Sequence, residues 1–176
     1  MKYRFILFFL FISINTMAQI QNTEPITVNH VDLERYIGLW YEIARIPNRF
    51  QKNCIGNTTA MYSLNEDGTI KVVNSCEEED ETNSAEGIAK VVDKKTNSKL
   101  EVSFVSIFGI NLFWGDYWII GLDEDYSYAV VGTPNRKYGW ILGRSKTLPE
   151  EKLDEVYSIL EKNGYNPQDF KNTRQD

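Results

Sequence analysis

The sequence is poor in histidine, cysteine and basic side chains, and each shortage argues against a class of function. His30 is the sole histidine, so no histidine pair is available for a metal site and none is placed to activate a nucleophile such as Cys54. Lysine and arginine total 19 against 25 acidic residues, which argues against nucleic acid as a partner. The sequence has no G-x-S-x-G motif, metal-ligand cluster or obvious pair of catalytic carboxylates. We therefore expect no catalysis, metal or cofactor.

Long apolar runs are also scarce, and the one at the N-terminus is short. Residues 1–4 (MKYR) are basic, residues 5–12 are apolar, and small residues stand at the first and third positions of 16–18. This pattern predicts a cleaved signal peptide at 1–18, followed by a single domain at 19–176. Losing Lys2 and Arg4 would change the net charge from −6 to about −8. The apolar run is too short to span a bilayer comfortably, which makes a membrane anchor the weaker interpretation.

Cys54 and Cys76 form an even pair, and an exported chain favours a disulfide between them. Two separate buried thiols are the alternative. The segment 65–68 (NEDG) is a strong hairpin signal between the two positions, and a hairpin there would bring the cysteines near each other.

Eight short strand-like segments, separated by turn signals, occupy most of the chain. They are 39–46, 58–64, 69–74, 87–92, 99–105, 117–122, 126–132 and 138–145. Their spacing predicts an antiparallel meander that forms a sandwich or a barrel.

After these strands the apolar residues follow the spacing of a helix instead of the alternation of a strand, which predicts one C-terminal helix. Its apolar positions are Leu153, Val156, Tyr157 and Leu160. Thr147 and Glu150 have the spacing of a capping box, with Pro149 in the first turn, and Gly164 suits the C-terminal cap. The apolar stripe is expected to pack against the outside of the sheet.

The connections between strands differ in length. Those at 65–68, 94–98 and 123–125 are short and polar, whereas those at 47–57, 75–86, 106–116 and 133–137 are longer. Because alternate connections of a meander lie at the same end, the long ones should share one end. The segment 107–115 (IFGINLFWG) belongs to that end and is unusually apolar for a loop. The residues proposed to stand there are Phe50, Phe108, Phe113 and Trp114.

Several motifs resemble the lipocalin family, and in particular its branch of bacterial lipocalins and apolipoprotein D. They are G-L-W at 38–40, continued as WYEIAR at 40–45, together with GDYWIIGLD at 115–123 and WILGRS at 140–145. The resemblance implies an all-β fold: an eight-stranded antiparallel up-and-down barrel with a C-terminal α-helix packed outside. It also implies that Arg144 lies over Trp40. Gly38 allows a close approach between the preceding helical turn and the barrel floor. Bacterial members of this branch are often lipoproteins, but no cysteine is present here near the predicted cleavage site.

Strand alternation, anchored on Trp40 and Arg144, predicts which side chains face the interior. The predicted ligand-binding residues are Glu42, Ala44, Tyr62, Val72, Phe104, Tyr128, Trp140 and Leu142. In 117–120 both sets of alternate residues are apolar, so alternation does not show which of these side chains face the interior. Glu42 has two interpretations, an anchor for a polar head group or a carboxylate paired with a tyrosine or water.

The predicted function is the binding and carriage or storage of fatty acids or lysophospholipids, beside a membrane surface, by a monomer or homodimer. The predicted location is the periplasm or outer-membrane periphery of a Gram-negative bacterium, or the exterior after secretion. Alternatives are a lipocalin-fold enzyme for a hydrophobic substrate and a barrel filled by its own side chains. An outer-membrane barrel is disfavoured because Lys71, Lys90 and Glu101 interrupt the outer apolar band. The apolar loop at 107–115 also has two interpretations, contact with a bilayer or a lid over the barrel opening.

Overall fold

The computed structural model describes residues 24–176, and the predicted signal peptide at 1–18 lies outside the described residues. The strands are β1 (Gly38–Arg45), β2 (Gly56–Leu64), β3 (Ile70–Glu77), β4 (Thr82–Val91), β5 (Lys99–Ser103), β6 (Val105–Ile107), β7 (Ile110–Leu112), β8 (Gly115–Leu122), β9 (Tyr128–Gly132), β10 (Gly139–Gly143) and β11 (Lys171–Asn172). The α-helices are α1 (Leu33–Tyr36) and α2 (Glu150–Lys162), and 3-10 turns occur at Arg49–Gln51 and Pro167–Asp169. Within 24–176 no helix is both long and apolar enough to cross a membrane.

The main sheet is a closed antiparallel barrel of eight strands, which confirms the predicted fold. The strands β1, β2, β3, β4, β5, β8, β9 and β10 pair in this order, and β10 returns to pair with β1. β6 and β7 form a separate two-stranded ribbon in the connection between β5 and β8. β11 adds to the edge of β1 at Ala44 and Arg45.

The closed end of the barrel is built as the family resemblance implies. Trp40 is fully buried, and the Arg144 guanidinium lies 3.8 Å from the centroid of its ring. Arg144 also donates hydrogen bonds to main-chain carbonyls, including those of Leu39 at 2.8 Å and Ile37 at 2.9 Å. Gly38 has a φ of +96°, and a Cβ there would lie 3.3 Å from Arg144 Nη1. Glycine therefore suits this position on both conformational and steric grounds.

Helix α2 covers the outside of the barrel through Val156 and Leu160, both fully buried. The predicted capping box is wrong, because the helix begins at Glu150 with Pro149 as its N-cap and no side chain caps it. Thr147 therefore lies two residues before the cap, out of register with the first turn. Gly164 follows the helix with a φ of +75°, as predicted.

The connection predicted at 75–86 is not a long loop. β3 and β4 continue through it to Glu77 and Thr82, which leaves 78–81 as a tight turn. Its polar residues pair across the strands, and the Ser75 and Ser84 hydroxyls are 2.7 Å apart. The polar composition of 75–86 had indicated a loop. These residues are polar because both faces of this extension of the strands stand partly in solvent.

The predicted disulfide between Cys54 and Cys76 is confirmed, with a Cα–Cα distance of 5.6 Å. It links the segment before β2 to the far end of β3, and it removes the Cys54 thiol as a candidate nucleophile. Closing a loop of this length should stabilise the protein by about 3 kcal/mol. We expect the Cys54→Ser/Cys76→Ser variant to lose that amount of unfolding free energy in urea titrations. Reductant should destabilise the wild type equally and leave the variant unchanged; a wild type insensitive to reductant would contradict this.

Candidate functional site

The barrel encloses a cavity of about 800 Å³, within the range of ligand sites in proteins. Its volume does not fit the alternative of a barrel filled by its own side chains. Apolar side chains from several strands form most of the wall, among them Ala60, Ile70, Val72, Leu100, Val102 and Leu142. The arrangement can remove a long apolar molecule from water.

Most residues predicted to bind ligand do lie on this wall. They are Glu42, Tyr62, Val72, Phe104, Trp140 and Leu142. The structure also fixes the phase of 117–120, where Tyr117 and Ile119 belong to the inner core and Trp118 and Ile120 to the core beneath α2.

The inward assignment of Ala44 is wrong. The pairing of β1 with β10 shifts by one residue between Glu42 and Ala44, so the alternation of side chains is broken there. Ala44 consequently packs in the outer core with Phe170 and Ile141. The next residue, Arg45, directs its guanidinium to the buried Glu42 carboxylate.

The inward assignment of Tyr128 is also wrong. Tyr128 belongs to the core beneath α2, and its hydroxyl donates to Glu155 at 3.1 Å. Burial and the neighbouring Glu155 raise the pKa of Tyr128 to about 12. Tyr126 has a φ of +62°, and this turn conformation resets the alternation before β9 begins. The side chains of β9 in the inner core are Ala129 and Val131.

Glu42 is a paired carboxylate rather than a free anchor. It is 2% exposed and accepts hydrogen bonds from Arg45, from Gln51 Nε2 at 2.6 Å, and from Thr173 of the C-terminal tail. Gln51 Oε1 in turn accepts from Trp140 Nε1 at 3.0 Å. This hub, formed by these five residues, joins the first long connection to β10 and to the C-terminus.

A second polar group, the tyrosine triad of Tyr36, Tyr62 and Tyr117, also lines the cavity. Tyr117 Oη lies 2.8 Å from Tyr36 Oη and 3.0 Å from Tyr62 Oη. Burial raises the pKa of all three, that of Tyr62 to about 12, so the hydroxyls are neutral at physiological pH. Sequence reasoning found only Tyr62, because Tyr36 precedes the barrel and the phase around Tyr117 was undetermined.

The mouth of the cavity carries Phe50, Phe113 and Arg49. The Phe50 ring lies 5.6 Å from that of Tyr138, and Phe113 is 82% exposed. Trp114 is placed differently, since its ring lies 4.0 Å from Lys90 Nζ and it is not among the lining residues.

The ribbon formed by β6 and β7 stands in the same connection as Phe113. One face of it is aliphatic, because Val105 pairs with Leu112 and Ile107 pairs with Ile110. Phe108 and Gly109 form its tip with φ values of +50° and +79°, as in a type I′ turn. Phe108 is fully exposed.

Comparison with known proteins identifies the family to which this architecture belongs. Residues 31–175 match the family profile described as a lipocalin-like domain. The chain belongs to the lipocalin family. This lipocalin is 38% identical to temperature-induced lipocalin-1 of Arabidopsis thaliana, over 82% of this chain and 80% of that protein. It is 38% identical to the outer membrane lipoprotein Blc of Escherichia coli K12 (81% and 78%) and 39% identical to apolipoprotein D of Macaca fascicularis (80% and 75%).

Solved structures share the fold of this lipocalin at lower identity. Insecticyanin from the tobacco hornworm Manduca sexta superposes with a TM-score of 0.70 at 22% identity, covering 88% of this chain and 85% of that one. Lobster apocrustacyanin A1 gives a TM-score of 0.64 at 19% identity, covering 89% and 92%. These similarities support the barrel architecture alone.

Proposed function

We propose that this lipocalin binds and carries or stores elongated apolar lipids, such as fatty acids or lysophospholipids, at a membrane surface. The open apolar cavity of about 800 Å³ is the observation that carries the proposal. Each methylene transferred from water to such a wall contributes about 0.8 kcal/mol, so a long acyl chain gains enough free energy to bind without a covalent link.

The cationic side chain at the mouth suits a polar head group. Arg49 lines the mouth, and its guanidinium forms no ion pair within the described part of the chain. It can pair with a carboxylate or a phosphate.

The ribbon tip supports the membrane part of the proposal. Phe108 and Phe113 both have positive φ, a conformation that is unfavourable for a bulky side chain and that Asn or Gly adopts readily. Both side chains nevertheless stand in solvent, next to the exposed Ile107 and Ile110. An apolar patch with this backbone strain has no role in packing the barrel, which favours insertion into a bilayer.

Tryptophan emission tests whether lipid enters the cavity. Of the four tryptophans, Trp140 alone lines it, because Trp40 fills the floor, Trp118 lies under α2 and Trp114 packs beside Lys90. A fatty acid should therefore shift or quench the emission, and Trp140→Phe should remove most of the response. Trp114→Phe is the matched control and should keep it. An undiminished response in Trp140→Phe would place the lipid elsewhere.

A further inference from the structure

The tyrosine triad lies at the inner end of the cavity, far from the charged mouth. Tyr36 comes from α1, and its ring centroid is 5.2 Å from that of Trp40, which fills the floor. Tyr62 lies near the end of β2 that leads into the closed-end turn at 65–68. Tyr117 from β8 bridges the other two hydroxyls.

The hydrogen bonds of the triad leave one proton unused. Each tyrosine hydroxyl supplies a single proton and two acceptor lone pairs. The triad has two internal hydrogen bonds, which use two of its three protons whichever hydroxyl donates. Within residues 24–176 no further acceptor lies within hydrogen-bond distance of these hydroxyls. One O–H group is therefore always left to donate to whatever occupies the inner end.

We infer that the triad recognises a neutral oxygen, a hydroxyl or a carbonyl, at the inner end of an elongated apolar ligand. This inference rests on the proposed function and narrows it. A plain acyl chain would place a methyl group beside the unused O–H and leave that donor unsatisfied. A lipid with an oxygen at its far end would accept that proton and keep its apolar body against the aliphatic wall.

The charge distribution along the cavity selects a neutral oxygen at this end. Among the described lining residues the one cation is Arg49, at the mouth, whereas the triad packs among aromatic and aliphatic side chains. The charged lining residue next to Tyr117 in the chain, Asp116, is an anion and would repel a carboxylate. Arg144 is committed to the Trp40 ring and to main-chain carbonyls. A carboxylate at the inner end would lose its hydration for a single donor and no counter-ion. The ligand class is therefore a terminally oxygenated lipid, such as an ω-hydroxy fatty acid or a chain with a terminal keto group.

Matched ligands test this inference in the full-length protein. Saturated fatty acids and their ω-hydroxy counterparts, each of 12 to 18 carbons, are titrated by calorimetry, and the tightest member of each series is compared. We expect the ω-hydroxy acid to bind about tenfold more tightly to the wild type, which corresponds to about 1.4 kcal/mol. In Tyr36→Phe/Tyr62→Phe/Tyr117→Phe the preference should reverse, because the ligand hydroxyl then enters a site with no polar partner.

Two further variants keep the outcome interpretable. Tyr62→Phe alone leaves two hydroxyls that share one hydrogen bond and still have one unused proton, so it should retain the preference. An ω-methoxy fatty acid, whose ether oxygen accepts a hydrogen bond but cannot donate one, covers the case in which the triple variant does not fold; in the wild type it should bind at least threefold more tightly than the saturated acid. Tyr128→Phe makes the same chemical change outside the barrel and should retain the tenfold preference. Equal binding of the hydroxy and saturated series to the wild type, no preference for the ω-methoxy acid, or a preference that survives in the folded triple variant would overturn the inference. If neither series binds the wild type, the proposed lipid carriage itself fails.

Discussion

Replacing Phe108 and Phe113 by asparagine should abolish most of the binding of this protein to liposomes of neutral phosphatidylcholine. Both side chains are exposed at the open end, and each gains about 1.5–3 kcal/mol when fully removed from water. Losing both side chains should weaken the free energy of membrane binding by about 4 kcal/mol. This corresponds to a roughly 1,000-fold lower partition coefficient, measured by liposome co-sedimentation. Asparagine is chosen because it tolerates the positive φ at both positions, and Asn-Gly is a preferred type I′ pair at the ribbon tip.

Single variants separate the bilayer interpretation from the lid interpretation. Phe108 is not among the lining residues, so Phe108→Asn should weaken liposome binding while the affinity for a soluble short-chain fatty acid stays within about twofold. Val92→Ser, an exposed apolar residue beside the closed-end turn at 94–98, should change neither quantity. High salt should not weaken binding, because the contact is apolar. Loss of fatty-acid affinity with intact liposome binding, in Phe108→Asn and in the double variant, would show a lid instead.

The sequence predicted an antiparallel meander because each barrel strand pairs with its chain neighbour, and the family resemblance selected a barrel over a sandwich. Turn signals such as 65–68 then define the order of strands without any long-range information. The floor was predictable for a different reason. Gly38, Trp40 and Arg144 form a motif whose residues are recognisable by type, and the structure has Arg144 stacked on Trp40.

The wall of the cavity was predictable only where alternation is unbroken. Leu142 and Trp140 lie inward because β10 has no irregularity before Arg144. Ala44 and Tyr128 lie outward because a register shift and a positive φ each offset the alternation, and neither leaves a clear mark in the sequence. A one-residue offset moves a side chain to the opposite face of the sheet.

The polar groups of the cavity were the least predictable part. The tyrosine triad draws on α1, β2 and β8, so it exists only once the barrel has closed. The hub around Glu42 likewise depends on Thr173, 131 residues further along the chain. Such contacts carry no local periodicity, whereas the apolar wall does.

Arg45→Met should lower the free energy of unfolding by about 3–5 kcal/mol, the range found when one partner of a buried ion pair is removed. Glu42 is 2% exposed and pairs with Arg45 at 2.5 Å, so the variant would leave its carboxylate buried with only the neutral donors of Gln51 and Thr173. The loss should appear in urea titrations as a lower midpoint with little change in slope.

The control for this variant removes the charge while it keeps the shape of the hub. Glu42→Gln/Arg45→Met has no buried charge at either position, and its amide can still bond to Gln51 and Thr173. We expect the double variant to recover most of the stability lost in Arg45→Met, to within about 1 kcal/mol of the wild type, because an uncompensated charge costs more than a missing ion pair. Equal destabilisation in the two variants would mean that the packing of the Arg45 side chain, rather than charge compensation at Glu42, holds the first long connection and the C-terminal tail to the barrel.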